Sequence, residues 1–375
     1  MMIYFDHAAT SLQKPREVYI AQYAAMRQTG GYGRSGHRPA LRAGELVYEC
    51  RELAAQLFGL EAPEQVVFTM NATHALNQAI YALTDETTCA AITGYEHNSV
   101  VRPLTERGVP YMVMKSAPFD GNALIDSAKR AINQGANLLI VNHMSNVFGG
   151  MVPLEEIDDL LTGTGAAMIV DASQSAGAAE LNVGKLKNVA AVCMPGHKGL
   201  LGPQGTGMLL VCSERLARPL MQGGTGSLSS ELHQPSLMPD RFESGTPNVP
   251  GIAGLAAGLR FILRRGVEEI AQHERSLKDA MARRLREIDG IEVFCGAQQG
   301  GVLSFRHPDL ACEIIAERLA ARGICVRAGL HCAPLAHRSA GTIGSGTVRA
   351  SFGPFNTMEE TESFCDTVRE IFEKL

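Results

Sequence analysis

Three short, continuously apolar runs constrain the fold of this 375-residue chain more than any other feature. They are LLIVN at 138–142, AAMIVD at 166–171 and AAVCM at 190–194. Continuous runs are typical of strands buried on both faces, as in a parallel sheet covered by helices. Another strand-like run, QVVFTM at 65–70, precedes a helical pattern at 75–83. The sequence therefore predicts an α/β fold with a mostly parallel sheet flanked by helices.

A polar cluster follows each of these four runs. The clusters are NATH at 71–74, HMSN at 143–146, ASQS at 172–175 and PGHK at 195–198. In open α/β sheets, ligands bind beyond the carboxyl ends of the strands. We therefore expect the four loops to line a single crevice.

The last of these clusters presents Lys198 between two apolar strands, within VAAVCMPGHKGLLGPQGTGMLLV at 189–211. Burying an ammonium group without a partner is costly, and burial lowers the lysine pKa toward neutrality. The free amine that results reacts readily with a carbonyl group. A GHKG taken alone is more often a solvated turn, so Lys198 needs support from other residues.

Asp171 supplies that support, since it ends the apolar run before Lys198 and is followed three residues later by Gln174. Taken alone, Asp171 fits a helix N-cap or a local salt bridge. An acid against a pyridinium nitrogen, with a lysine on the aldehyde carbon, is what pyridoxal 5′-phosphate (PLP) requires. The pair therefore predicts a PLP site.

The length of the chain favours two unequal domains. A Gly-, Ser- and Pro-rich stretch at 222–250 predicts a long, weakly structured connection, and strands and helices are mixed after it. We predict a large PLP-binding domain over 15–248. Residues 1–14 and 249–375 would form a smaller α+β domain.

Composition excludes several classes of function. A net charge of −5 with scattered Lys and Arg predicts no nucleic-acid partner. The chain has neither a signal peptide pattern nor an apolar run long enough to span a membrane. Nine cysteines without a CxxC predict a reducing compartment, and neither a disulfide framework nor a metal site. The expected location is the cytoplasm.

Six ordered motifs resemble the class V aminotransferase superfamily of fold-type I PLP enzymes. Within it, they are most similar to group II cysteine desulfurases and selenocysteine lyases. The resemblance extends from Asp6 to Arg349 and implies a large domain with a mostly parallel seven-stranded sheet plus a smaller α+β domain. The motifs are YEHNSV, HMSNVFGG, VDASQSAG, MPGHKGLLGPQGTGML, RFESGTPN and RAGLHCAPL.

The resemblance implies a set of residues that hold the cofactor. His97 matches a histidine that stacks on the pyridine ring, and Gln174 matches a partner of the PLP 3′-oxygen. Asn146 matches an asparagine near that oxygen and near the substrate carboxylate. Matches to the phosphate ligands are Ala72, Thr73, His197 and, from the other subunit of a homodimer, Thr246.

The resemblance also implies substrate-binding and catalytic residues. Arg349 in VRASF matches an arginine that grips the substrate α-carboxylate, and His37 is assigned to substrate binding as well. Cys332 matches a persulfide-forming cysteine. Taken alone, a cysteine is usually a small buried hydrophobe. Beside a histidine and near arginines, however, its thiol is able to react as a thiolate.

Two positions depart from the family pattern. Pro195 stands where a serine often contacts the phosphate, and Leu330 stands where a histidine is common in Gly-His-His-Cys. Both departures bear on the substrate more than on the type of chemistry.

The expected activity is conversion of L-cysteine to L-alanine, with the sulfur left as a persulfide on Cys332. L-selenocysteine is a possible second substrate, and a sulfur-acceptor protein is an expected partner. The alternatives are a selenocysteine lyase, another class V enzyme such as a transaminase or epimerase, and a weakly active PLP-fold partner protein in sulfur transfer.

Overall fold

The computed structural model describes residues 2–33 and 35–373. Within these residues the strands are β1 (Ile3–Tyr4), β2 (Val66–Thr69), β3 (Ala90–Thr93), β4 (Tyr111–Met114), β5 (Leu138–Asn142), β6 (Ala167–Asp171), β7 (Val189–Pro195), β8 (Gly207–Val211), β9 (Glu292–Phe294), β10 (Val302–Arg306), β11 (Ile324–Cys325), β12 (Arg327–Gly329) and β13 (Thr347–Ser351). The helices are α1 (Arg16–Gln28), α2 (Arg38–Phe58), α3 (Ala72–Leu83), α4 (Asn98–Glu106), α5 (Gly121–Asn133), α6 (Leu154–Leu161), α7 (Val249–Arg265), α8 (Val267–Leu285), α9 (Cys312–Ala320), α10 (Pro334–Ser339) and α11 (Met358–Phe372).

A seven-stranded sheet with the order β2-β8-β7-β6-β5-β3-β4 forms the centre of the larger part of the chain. Its strands are parallel except β8, which runs antiparallel to both β7 and β2. The predicted α/β fold with a mostly parallel seven-stranded sheet is confirmed.

Strand β6 shows why the central runs are apolar without alternation. Met168 and Val170 belong to the hydrophobic core on one face of the sheet, whereas Ala167 and Ile169 belong to the core on the other face. Successive side chains of a strand point to opposite faces, so a strand covered by helices on both sides needs apolar residues at every position.

The antiparallel direction of β8 follows from the short connection before it. A parallel return needs a crossover of about a dozen residues or more, usually through a helix. The segment 196–206 contains no helix, and the chain returns along β7 with Pro195 opposite Gly207. Lys198 therefore stays at the edge of the sheet where β7 ends.

The C-terminal part builds a second core around an antiparallel sheet with the order β12-β13-β10-β9. The N-terminal strand β1 pairs with β11, and the ring of Phe5 packs edge-on against Phe352 and Phe364. Helix α7 instead contributes Leu255 and Ile262 to the core of the large sheet. This packing favours grouping α7 with the large sheet, while the domain boundary at residue 248 stays a prediction.

Two segments between the regular elements complete the description of the fold. No helix or strand lies in residues 212–248, in agreement with the long connection expected there. Helices α7 and α8 are separated by one residue, because Gly266 adopts a φ of +89°. That conformation favours glycine and ends α7.

Candidate active site

A cavity of about 210 Å³ lies beyond the carboxyl ends of β2, β5, β6 and β7. Each of the four polar clusters contributes to its wall, as the sequence predicted. Nine of the predicted site residues line it: Ala72, Thr73, His97, Asn146, Asp171, Gln174, His197, Lys198 and Arg349. Pro195, the first departure from the family pattern, lines it as well.

Lys198 enters this cavity from the loop between β7 and β8. Burial lowers the pKa of its ammonium group to about 8, with a further decrease from the charge of Arg349. The carboxylate of Asp171 opposes this shift. Lys198 thus keeps a reactive fraction of free amine near neutral pH.

Asp171 forms part of the cavity wall at the end of β6 and is 1% exposed. Its Oδ1 accepts a hydrogen bond of 2.9 Å from the Ser173 amide. In the neighbouring strand β5, Asn142 lies opposite Asp171. The backbone N–H of Asn142 donates to Glu96 Oε1 at 2.8 Å. Burial raises the pKa of Glu96 to about 8, so this carboxyl is neutral at pH 7 and adds no second charge beside Asp171.

His97 forms one side of the cavity as the N-cap of α4. Its Nδ1 accepts a hydrogen bond of 3.1 Å from the Ser99 amide, which fixes the ring. Burial lowers the pKa of His97 to about 4, so the ring is neutral. The Ser99 hydroxyl lies 2.8 Å from the Thr73 hydroxyl and links this side to the start of α3.

The start of α3 is a suitable site for an anion. The first N–H groups of a helix have no intrahelical partner. The side chain of the N-cap Asn71 accepts from the His74 amide at 2.9 Å, which leaves the amides of Ala72 and Thr73 available to a bound group. A phosphate is well suited to such a position.

His197 lies beside this region and is held by the N-terminal segment. Its Nδ1 is 3.1 Å from the Thr10 hydroxyl, and the Ser11 amide donates to its carbonyl at 2.9 Å. Burial lowers the pKa of His197 to about 4, aided by the charges of Lys198 and Lys14. Gln174 is anchored to the same N-terminal segment, because its amide group donates to the Ala8 carbonyl at 3.0 Å.

Arg349 is 1% exposed and reaches the cavity from β13. Its Nη2 donates to Asp6 Oδ1 at 2.6 Å, and its Nη1 donates to the Asn146 carbonyl at 3.0 Å. Its Nε has no hydrogen-bond partner among the described residues, and neither has Oδ1 of Asn146 or of Asn142. Each buried unsatisfied group costs about 1–3 kcal/mol, so their concentration here indicates that the cavity receives a polar molecule.

Cys332 is exposed and is not part of the cavity wall, although its chain neighbour His331 is. Its Sγ accepts a hydrogen bond of 3.5 Å from Arg327 Nη2, and Arg327 itself lines the cavity. The sequence had placed Cys332 beside His331, yet the imidazole of His331 is bonded to Thr347 instead. Both His331 (φ +51°) and Cys332 (φ +58°) have left-handed backbones, which are strained for residues other than glycine and concentrate at functional sites.

Besides Cys332, two predicted site residues and one departure are not part of the cavity wall. Thr246 is exposed in the segment before α7. His37 is exposed and caps α2, where its Nδ1 accepts from the Ala40 amide at 3.3 Å. Leu330 is 38% exposed. The roles assigned to Thr246 and His37 stay predictions.

The sequence reasoning missed several residues that line the cavity. Arg327 faces Arg349 across the β12–β13 pair, and its place depended on a strand pairing that the sequence does not reveal. Ser99 carried a usable signal, since a serine two residues after His97 lies in the first turn of α4. Asn142 and His331 are two more lining residues that the sequence reasoning missed.

Two further structural properties concern membrane-spanning helices and metal-binding groups. Within residues 2–33 and 35–373, none of the helices combines the length and apolar character needed to cross a membrane. The same residues contain no group of three or more His, Cys, Asp or Glu side chains arranged to hold a metal ion.

Comparisons with known proteins agree with this geometry. Residues 3–364 match the family model described as aminotransferase class-V. A probable cysteine desulfurase from Pyrococcus abyssi is 33% identical over 390 residues, which cover 100% of this chain and 95% of that protein. The apo structure of a cysteine desulfurase from Thermococcus onnurineus NA1 has a TM-score of 0.91 at 33% identity, over 100% of this chain and 95% of that one. The cysteine desulfurase CsdA from Escherichia coli has a TM-score of 0.85 at 26% identity, with 100% and 95% covered.

The chain belongs to the class V aminotransferase family. The resemblance carried by the six sequence motifs is thereby confirmed.

Proposed function

We propose that this protein is a PLP-dependent cysteine desulfurase that converts L-cysteine to L-alanine. The observation that carries the proposal is the shared cavity of Lys198, Asp171 and Arg349, with Cys332 bonded to Arg327 of its wall. The full-length similarity to proteins named as cysteine desulfurases supports the same activity.

The described residues fit PLP. The start of α3 offers amides to its phosphate, Asp171 offers a carboxylate to its ring nitrogen, and Lys198 offers an amine to its aldehyde. His97 is a neutral ring on the cavity wall, suited to stacking. Bound PLP would serve as an electron sink for the substrate α-carbon.

The remaining steps belong to the side chains. Arg349 is suited to the substrate carboxylate, because its Nε is buried and unpartnered. The Lys198 amine is suited to removing and returning a proton at the α-carbon. The Cys332 thiol then takes the sulfur: cysteine and Cys332–SH give alanine and Cys332–S–SH, with no external oxidant or reductant.

A homodimer with shared active sites is part of the proposal. Tyr19, Tyr23 and Met26 are spaced to lie on one face of α1, and each is at least half exposed. Ile20 on the same helix is 55% exposed. A second copy of this chain would cover this stripe and bring Thr246, which lies outside its own cavity, to the partner's site.

Two finer assignments accompany the proposal. The exposure of Cys332 supports delivery of its sulfur to an acceptor protein. All nine cysteines are free thiols, which supports a location in the cytoplasm.

Incubation of the PLP-loaded protein with L-cysteine and a reductant, with alanine and sulfide measured in parallel, tests the activity. We expect equal amounts of both products. Cys332→Ala should keep PLP absorbance and lose turnover, whereas Lys198→Ala should lose both. Cys89→Ala is a matched control, since Cys89 lies outside the cavity.

Turnover of cysteine by Cys332→Ala at the wild-type rate would refute the persulfide route. Activity of this variant on selenocysteine alone would indicate a selenocysteine lyase. A wild-type protein that makes neither alanine nor sulfide would favour the non-catalytic partner instead.

A further inference from the structure

The imidazole of His331 has a fixed tautomer. His331 is 2% exposed and is one of the residues around the cavity. Its Nε2 lies 3.2 Å from both the carbonyl and the hydroxyl oxygen of Thr347. A carbonyl oxygen only accepts hydrogen bonds, so Nε2 carries the ring proton. The other nitrogen, Nδ1, therefore presents a lone pair.

This lone pair has no partner in the described part of the chain. The charged or titratable groups that act on the ring are Arg349 of β13, Arg327 of β12 and His337 of α10, whose ring is stacked at 5.7 Å. Burial is the main cause that lowers the pKa of His331 to about 2, and the charges of these neighbours lower it further. His331 thus remains a neutral acceptor beside the cationic groups of Arg349 and Arg327.

The position of His331 relates this acceptor to a particular part of the substrate. In the chain it directly precedes Cys332, and in space it is bonded to Thr347, two residues from Arg349 on β13. A substrate with its carboxylate at Arg349 and its sulfur directed at Cys332 extends past His331. The group that it presents there is the thiol.

We propose that Nδ1 of His331 accepts a hydrogen bond from the S–H group of the substrate and so selects cysteine over selenocysteine. This inference rests on the proposed desulfurase function. A thiol with a pKa of about 8.5 keeps its proton at pH 7, whereas a selenol is ionised there. A lone-pair acceptor binds the protonated thiol and disfavours the selenolate.

Two substitutions separate the two ring nitrogens. In His331→Gln the amide nitrogen takes the place of Nε2, so the bond to Thr347 is kept and the Nδ1 acceptor is lost. In His331→Asn the amide oxygen takes the place of Nδ1, so the acceptor is kept and the bond to Thr347 is lost. PLP absorbance and thermal unfolding of both holoenzymes report whether the site and the fold survive.

The test is the kcat and KM of each holoenzyme for cysteine and selenocysteine from about pH 6.5 to about pH 9.5. Losing one hydrogen bond should raise the KM of His331→Gln for cysteine about tenfold at pH 7, with the KM for selenocysteine within about twofold. The cysteine effect should shrink as the substrate thiol ionises. His331→Asn should keep the preference for cysteine.

A KM for cysteine in His331→Gln that stays at the wild-type value, or that rises equally for both substrates at every pH, would overturn the inference. If the wild type uses cysteine alone, the test is the KM of His331→Gln for cysteine divided by that of the wild type, and this ratio should decrease as the pH increases. The proposed function is tested separately, because it fails only if the wild type makes no alanine from cysteine.

Discussion

Lys198 has a pKa of about 8 in the folded protein, against an ordinary value of 10.5. At pH 7 about one tenth of the population therefore carries the free amine. We expect the rate of PLP uptake by the apoprotein to rise as the pH increases toward 8 and to level off above it. Stopped-flow absorbance across this range measures the rate, and a rise that continued to pH 10 would contradict the lowered pKa.

A second prediction at the scale of one residue concerns the effect of Glu96 on stability. Burial raises its pKa to about 8 from 4.5, so the folded state holds a proton that the unfolded state has released between these values. The stability of the wild type should therefore fall as pH rises through this window. A glutamine at this position does not titrate, so Glu96→Gln should not lose stability in this way. The melting temperature of Glu96→Gln minus that of the wild type should therefore increase from about pH 5 to about pH 8.

Thermal unfolding of both proteins at several pH values measures the difference. Glu45→Gln is the control, since Glu45 forms an exposed ion pair with Arg42. Parallel curves for Glu96→Gln and the wild type would contradict the prediction.

The site residues at the ends of strands could be predicted from the sequence. Asp171 ends one apolar run and Lys198 follows another four residues later, and parallel strands bring such residues to one edge. The places of Arg327 and His331 could not be predicted in this way. Their places depend on the pairing of β12 with β13 and on left-handed backbones, which no local pattern encodes.

At the scale of elements, the same distinction holds. The apolar runs predicted β5, β6 and β7, because burial on both faces leaves a clear pattern. The direction of β8 left no pattern, since an apolar strand reads alike in either direction. The break between α7 and α8 depends on one residue, Gly266, within a long helical pattern.

The start of β8 supports the phosphate-binding turn, which gives a prediction. A Cβ atom at Gly207 would lie 2.8 Å from the Asn71 Cα and from the Thr69 hydroxyl. Backbone atoms cannot yield as a flexible side chain does, so Gly207→Ala should displace the start of α3. We expect a lower melting temperature and weaker PLP binding, by about tenfold or more.

Equilibrium titration with PLP and thermal unfolding measure both effects. Gly121→Ala at the start of α5 is the matched control, because its Cβ would meet only Pro153 at 3.5 Å. Equal PLP affinities in the two variants would argue against this support.

At the scale of the whole molecule, the apolar stripe of α1 predicts a dimer. Tyr23 and Met26 are 61% and 66% exposed. The double substitution Tyr23→Glu and Met26→Glu would place charges in the interface, so the variant should be monomeric and should bind PLP more weakly. Ile314→Glu, at an exposed apolar position of α9, is the control. Sedimentation velocity measures the mass, and a wild type that is monomeric at micromolar concentration would refute the dimer.

The two reactive side chains are mounted on parts of the fold that differ in stiffness. Lys198 lies in a loop whose ends are β7 and β8, both flanked by strands on each side. Cys332 follows β12, a three-residue strand at the edge of its sheet with a single neighbour. Edge segments with few ladder hydrogen bonds open at a lower free energy than central ones. We therefore expect Lys198 to stay fixed in the cavity. In the proposed reaction, Cys332 would be free to move between the cavity, where it takes up sulfur, and the outside, where it releases sulfur.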